Sequence, residues 1–135
     1  MSIKEIFERY RRVGIYGMSA NEEKPAYQVP KFLMSKGYEI FPINPHSDEI
    51  MGRKVAHNLS DVEGDIEILD VFRPSAEAVK VVKEAIERNR SKGDIKVIWL
   101  QEGIISDEAK KLAEEYGFEF IQNKCMHVEY LKAQL

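Results

Sequence analysis

Five short apolar runs recur along the chain, at Val13 to Gly17, Glu39 to Ile43, Ile66 to Phe72, Ile95 to Leu100 and Phe118 to Ile121. A helix-length segment separates each run from the next, so strands alternate with helices. The runs Val13-Gly14-Ile15-Tyr16 and Ile66-Glu67-Ile68-Leu69-Asp70-Val71-Phe72 are largely apolar and do not alternate cleanly. Strands of that kind are covered on both faces, which points to an α/β fold with an open parallel sheet. Its connections are then right-handed crossovers.

The helices between the runs carry recognisable ends. Ser75 caps a helix after Pro74 whose residues Ala78, Val79, Val82, Ala85 and Ile86 share one face. Ser106 caps the next, with Asp107 and Glu108 in its first turn, Ala109, Leu112, Ala113 and Tyr116 as its apolar stripe and Gly117 as its stop. Pro25 and Pro30 restrict the helix after the first strand to a start near Tyr27, and Gly37 ends it. Ile3, Ile6, Phe7 and Tyr10 form a short amphipathic helix expected to cover a sheet edge or one end, and Met126 to Leu135 reads as a closing helix. The stretch Ile50 to Gly64 is the least regular. A turn at Gly52-Arg53 and a short helical turn from Ser60-Asp61 are expected there, within a connection of little structure.

A chain of 135 residues is expected to be one domain, 1–135, with no room for a second catalytic one. Its composition, 44% hydrophobic and 32% charged, is that of a globule, and a net charge of -3 gives no general attraction to nucleic acid or anionic lipid. No apolar run approaches the roughly 20 residues needed to cross a bilayer, and Met1-Ser2-Ile3-Lys4-Glu5 is charged rather than signal-like, so a cytoplasmic protein is expected. The single cysteine, Cys125, excludes an internal disulfide framework and a multi-cysteine zinc site. The histidines His46, His57 and His127 lack metal-ligand spacing and read as surface residues, so no metal site is expected.

Ligands of open parallel sheets bind beyond the carboxyl ends of the strands. There the chain places Gly17-Met18-Ser19, Asn44-Pro45, Arg73-Pro74, Gln101-Glu102-Gly103 and Asn123-Lys124-Cys125. Gly17 permits a tight turn close to a phosphate, whose oxygens the following N–H groups and the Ser19 hydroxyl can meet; Lys24 lies in the same loop. A dinucleotide-binding turn needs G-x-G-x-x-G and an acid after the second strand, whereas this chain has G-x-S and the neutral Asn44. Asn44 donates as well as accepts, and Arg73 suits a two-pronged contact with a phosphate, so a phosphorylated ribose is favoured over plain NAD. The plain alternatives stand beside this: Asn44-Pro45 as a turn, Lys24 and Arg73 as surface charges, Phe72 as core rather than an adenine platform.

Taken together, the strand-end motifs, the Lys24-Pro25-Ala26-Tyr27 loop, Gly37-Tyr38-Glu39-Ile40-Phe41-Pro42-Ile43-Asn44-Pro45, Asp70-Val71-Phe72-Arg73 and Trp99-Leu100-Gln101-Glu102-Gly103-Ile104 resemble the standalone CoA-binding proteins. Their domain is similar to the CoA-binding domain of the succinyl-CoA synthetase alpha subunit. The resemblance covers nearly the whole chain and implies a Rossmann-like, doubly wound sheet of about five parallel strands in a three-layer α/β/α arrangement. It also implies coenzyme A as ligand. Gly17, Met18 and Ser19 would contact the pyrophosphate and Lys24 would balance its charge. Pro42 and Asn44 would line the adenosine side, and Phe72 and Arg73 would hold the adenine and 3′-phosphate end. Gln101, Glu102 and Gly103 would border the pantetheine. Lys124 stands where the family pattern is expected to have Arg.

Cys125, at a helix start beside Lys124 and His127, is placed to exchange with the CoA thiol or its disulfide; it reads equally as a small buried hydrophobe. The function expected is a module that binds CoA or acyl-CoA without catalysis of its own. The alternatives are an NAD(P)-binding oxidoreductase, or a non-catalytic subunit of an acyl-CoA-transforming enzyme. A homo-oligomer and a partner enzyme subunit both remain open.

Overall fold

The computed structural model describes residues 1–135. In chain order its elements begin with α1 (Ile3–Arg9), β1 (Arg12–Tyr16), α2 (Pro25–Ser35) and β2 (Glu39–Ile43). A short hairpin of β3 (Glu49–Ile50) and β4 (Arg53–Lys54) follows, then β5 (Ile68–Val71), α3 (Ala78–Ser91), β6 (Val97–Leu100), α4 (Asp107–Tyr116), β7 (Glu119–Ile121) and α5 (Met126–Ala133). Five strands make one parallel sheet in the order β2-β1-β5-β6-β7. Every residue of β5 and β6 is buried, as continuous apolar runs require when both faces are covered.

One core cluster packs α1, α2 and α5 on one face through Phe7, Leu33, Trp99 and Met126. The other packs α3 and α4 on the opposite face through Val82, Ala85, Ile98 and Ala113. The result is the expected three-layer α/β/α, Rossmann-like arrangement. The chain moves from β1 outward to β2 and then returns to the other side of β1 to form β5. The connections diverge there, and the crevice opens beyond the carboxyl ends of β1 and β5.

Local chemistry sets most element ends. Ser2 and Glu5 form a reciprocal capping box on α1. Ser106 Oγ accepts from Ala109 N, and Gly117 closes α4 at φ 106°. Helix α2 starts at Pro25 rather than near Tyr27, because proline suits the first helical position, where its missing N–H is no loss. Pro30 inside that helix cannot donate to the Ala26 carbonyl. Ser19 N–H takes that carbonyl instead, at 3.2 Å, which ties the glycine turn to α2.

Three further expectations are corrected. Ser75 does not cap α3: it begins a 3-10 turn over Ser75–Glu77, its Oγ accepts from Ile105 N, and Glu77 is the N-cap residue, with no side-chain cap bond. Helix α1 lies on a sheet face, not at an edge: its Phe7 ring is 5.7 Å from Trp99 and 5.4 Å from Tyr130. Residues 50–64 are well structured. They hold the β3–β4 hairpin and a 3-10 turn at Leu59–Asp61, and bury Ile50, Val55, Leu59 and Val62. Their anchor is Arg88 of α3, only 6% exposed. It donates to the carbonyls of Leu59, Val62 and Gly64 at 2.8 to 3.0 Å and forks onto Asp94. Burial alone would raise the Asp94 pKa, but Arg88 and the Ile66 N–H outweigh it and hold the carboxyl below its ordinary value. His127 is half-buried and stacks on Phe32 at 3.6 Å between ring centroids, joining α5 to α2.

Candidate ligand-binding site

Gly17 ends β1 at φ 89°, and a Cβ there would come within 2.9 Å of the Arg73 side chain. Only glycine lets the Arg73 stem lie across the turn. The turn's amides are already engaged. Gly17 N and Met18 N both donate to Ile43 O, at 2.9 and 3.3 Å, and Ser19 N donates to Ala26 O. Ala20 N is the next amide along and donates to nothing in the protein. Ser19 Oγ accepts from Asn21 N at 3.0 Å, which leaves its hydroxyl proton to donate outward.

Asn44 explains why no acid follows β2. Its Nδ2 donates to Met18 O at 2.7 Å while its Oδ1 accepts from His46 N at 2.7 Å, so the side chain clamps the end of β2 to the glycine turn. An aspartate could not donate to Met18 O and would face that carbonyl with like charge.

A cavity of about 910 Å³ opens over this clamp on the α3 side, between Gly17, Asn44, Arg73 and the outer face of α3. Sequence reasoning did not find its α3 wall. Glu77, Lys80, Lys83, Glu84 and Glu87 look like any solvated helix surface, and only the topology turns that face toward the strand ends. The acids there are held. Arg73 forks onto Glu77 at 2.9 and 3.3 Å, the Tyr16 hydroxyl donates to Glu84 at 2.9 to 3.0 Å, and Arg90 pairs with Glu87 at 3.2 Å. Burial first, and then the Glu84 carboxylate, push the Tyr16 hydroxyl well above the ordinary phenol pKa. Lys80 and Lys83 make no ion pair. The cavity therefore presents two unengaged ammonium groups beside one replaceable guanidinium, an arrangement suited to phosphate.

The remaining candidate residues distribute around this cavity rather than inside it. The Met18 side chain is fully buried beneath the turn. Pro42 lines a separate groove along the β2 edge. Lys24 is exposed and precedes α2 as its N-cap residue, without a side-chain cap bond. Phe72 is half-buried and packs on the α1–α2–α5 side. Gln101, Gly103 and Cys125 form a second group at the ends of β6 and β7. There Gln101 Oε1 accepts from Met126 N at 3.0 Å and Gly103 N donates to Asn123 Oδ1 at 2.8 Å. Cys125 is the half-buried N-cap residue of α5.

Asp70 was also missed. It sits in the middle of β5 between Ile15 and Trp99, fully buried, with neither carboxylate oxygen hydrogen-bonded. Burial raises its pKa well above the ordinary value.

Comparison with known proteins assigns the chain. The family described as a CoA binding domain matches residues 11–131. The uncharacterized protein YneT of Bacillus subtilis is 34% identical over 128 residues, covering 95% of this chain and 91% of that protein. A hypothetical protein from Pyrococcus horikoshii has a solved structure that superposes with a TM-score of 0.90 at 32% identity, covering 98% of this chain and 90% of that one. The ADP-forming acetate–CoA ligase of Methanocaldococcus jannaschii is 29% identical over 125 residues, covering 87% of this chain but 17% of the ligase. The match over residues 11–131 and the parallel sheet with its glycine turn place the chain in the CoA-binding domain family.

Proposed function

We propose that this protein binds coenzyme A or an acyl-CoA across the carboxyl ends of its strands, in the cytoplasm and without catalysis of its own. The observation that carries the reading is the cavity over Gly17, closed by Asn44 on one side and walled by Arg73, Lys80 and Lys83 on the other. The diphosphate lies on the glycine turn, held by the Ser19 hydroxyl, the Ala20 amide and Arg73, with Lys24 adding positive charge from the loop. Met18 supports the turn from beneath. Arg73 is bedded on Gly17, so it serves the diphosphate better than the 3′-phosphate expected from sequence; Lys80 and Lys83 are then the cations for the 3′-phosphate. Asn44 shapes the adenosine side, whereas Pro42, in its separate groove, and Phe72, on the α1–α2–α5 side, lie outside the cavity. The pantetheine runs toward Gln101, Gly103 and Cys125.

Denaturing the purified protein and identifying the released small molecule by mass spectrometry tests this. CoA supports it, and NAD overturns it. If the preparation is empty, titration with both decides, and binding of NAD alone overturns the reading. Cys125 adds a covalent variant. Its thiolate attacks CoA disulfide, forming a protein–CoA mixed disulfide and releasing one CoA thiol. Incubation with CoA disulfide is expected to add the mass of one CoA to the wild type and nothing to Cys125→Ser; adduct on both removes Cys125 from this role.

The ligase, of which such a domain is only a part, favours a second reading in which this chain presents CoA to a separate catalytic subunit. Co-purification with such a subunit, and acyl-CoA turnover only in the mixture, would distinguish it from a free-standing binder.

A further inference from the structure

Arg73 is the only guanidinium lining the strand-end cavity, and it already has an occupant. Its Nε and one terminal nitrogen donate to the two oxygens of Glu77 at 3.3 and 2.9 Å. Local chain geometry sets this fork: Pro74 opens a 3-10 turn over Ser75–Glu77 that returns residue 77 to the side chain of residue 73. Ser75 Oγ accepts from Ile105 N at 2.9 Å, fixing the turn to the loop after β6. The Arg73 stem meanwhile lies on Gly17, so its guanidinium stays at the turn.

A carboxylate and a phosphate offer a guanidinium the same two-oxygen edge. We propose that Glu77 is a specificity-determining residue: its carboxylate occupies the place on Arg73 that a ligand phosphate takes, and only a densely charged phosphate displaces it. The inference rests on the phosphate-bearing ligand proposed above. The side chains of Arg73 and Glu77 are 46% and 35% exposed, so their pair is weak enough to exchange. The displaced carboxylate swings outward into solvent, to which its side chain is already 35% exposed. Neither other acid on that face bonds to Arg73: Tyr16 donates to Glu84, and Glu87 contacts Arg90. A carboxylate ligand gains nothing by the exchange, since it replaces like with like. A diphosphate gains, because it brings more charge to Arg73 while Glu77 is released to water.

The test is calorimetric titration of the wild type, Glu77→Gln, Arg73→Ala and the double variant with CoA and with inorganic pyrophosphate. Glu77→Gln is expected to tighten both ligands by roughly two- to fivefold, and the gain is expected to vanish in the Arg73→Ala background. Glu77→Ala serves as a second variant and is expected to give the same gain. No tightening, or a gain that survives without Arg73, overturns the proposal, because Glu77 would then act by general repulsion or not at all. If pyrophosphate shows the pattern while CoA does not bind, the CoA reading fails and the role of Glu77 stands. If both ligands bind without the pattern, the reverse holds, and binding of neither overturns both.

Discussion

Four side chains, Asn44, Lys80, Lys83 and Asp70, show how much a single position decides here. Asn44 stands where a dinucleotide-binding domain would have an acid, and its amide both donates to Met18 O and accepts from His46 N. The departure from the acid was legible in the sequence, but its structural reason was not, because Met18 and Asn44 lie on different strand ends. Lys80 and Lys83 were illegible for a related cause: spaced along a charged helix they resemble solvated lysines until the fold turns them toward Gly17. Replacing both with Gln is expected to weaken CoA by at least fivefold and dephospho-CoA by less than twofold, since roughly 1 kcal/mol attends each lost charge contact to phosphate; equal losses in titration would return the 3′-phosphate to Arg73. Asp70 carries a different prediction. Its native pKa is raised above the unfolded value, so the folded state retains a proton that the unfolded chain releases. Its contribution is therefore fully present below the unfolded pKa and is lost as pH rises toward the native one. In urea unfolding across pH 5 to 9, Asp70→Asn is expected to remove a slope of up to about 1.4 kcal/mol per pH unit from the wild-type profile.

At the scale of elements, the strands and the ends of α4 were readable because their causes are local. The apolar runs of β5 and β6 and the Ser106–Gly117 bracket of α4 are each set by residues within one element, whereas the Ser2–Glu5 box on α1 went unread. Residues 50–64 were not readable, because what orders them is distant in sequence: Arg88 reaches the carbonyls of Leu59, Val62 and Gly64 from another helix. That dependence predicts a large effect. Arg88→Ala is expected to cost about 3–5 kcal/mol in chemical unfolding, because it strands Asp94 and three carbonyls without their donor. Asp94 also gives this part of the molecule an acid limit. Its pKa is lowered on folding, so its contribution is present above the unfolded carboxylate pKa and is lost as pH falls through the native one.

For the molecule as a whole, the alternation of runs was sufficient for the parallel sheet, while the side on which the cavity opens followed from the strand order β2-β1-β5-β6-β7. No helix is long and apolar enough to cross a membrane. A ligand that binds only the folded chain must raise its melting temperature: at a hundredfold excess over Kd, CoA is expected to add about 2.7 kcal/mol, a shift of several degrees by scanning calorimetry, with NAD giving none. The tie between Pro30, Ala26 and Ser19 has a consequence for how a ligand arrives. The glycine turn is braced by the helix behind it and by the strand beside it before anything binds, so capture requires little ordering of the chain. Encounter should then be governed by charge rather than by rearrangement: the association rate would respond steeply to ionic strength, and the amides of Gly17, Met18 and Ser19 would exchange slowly with solvent in the empty protein as well as the loaded one.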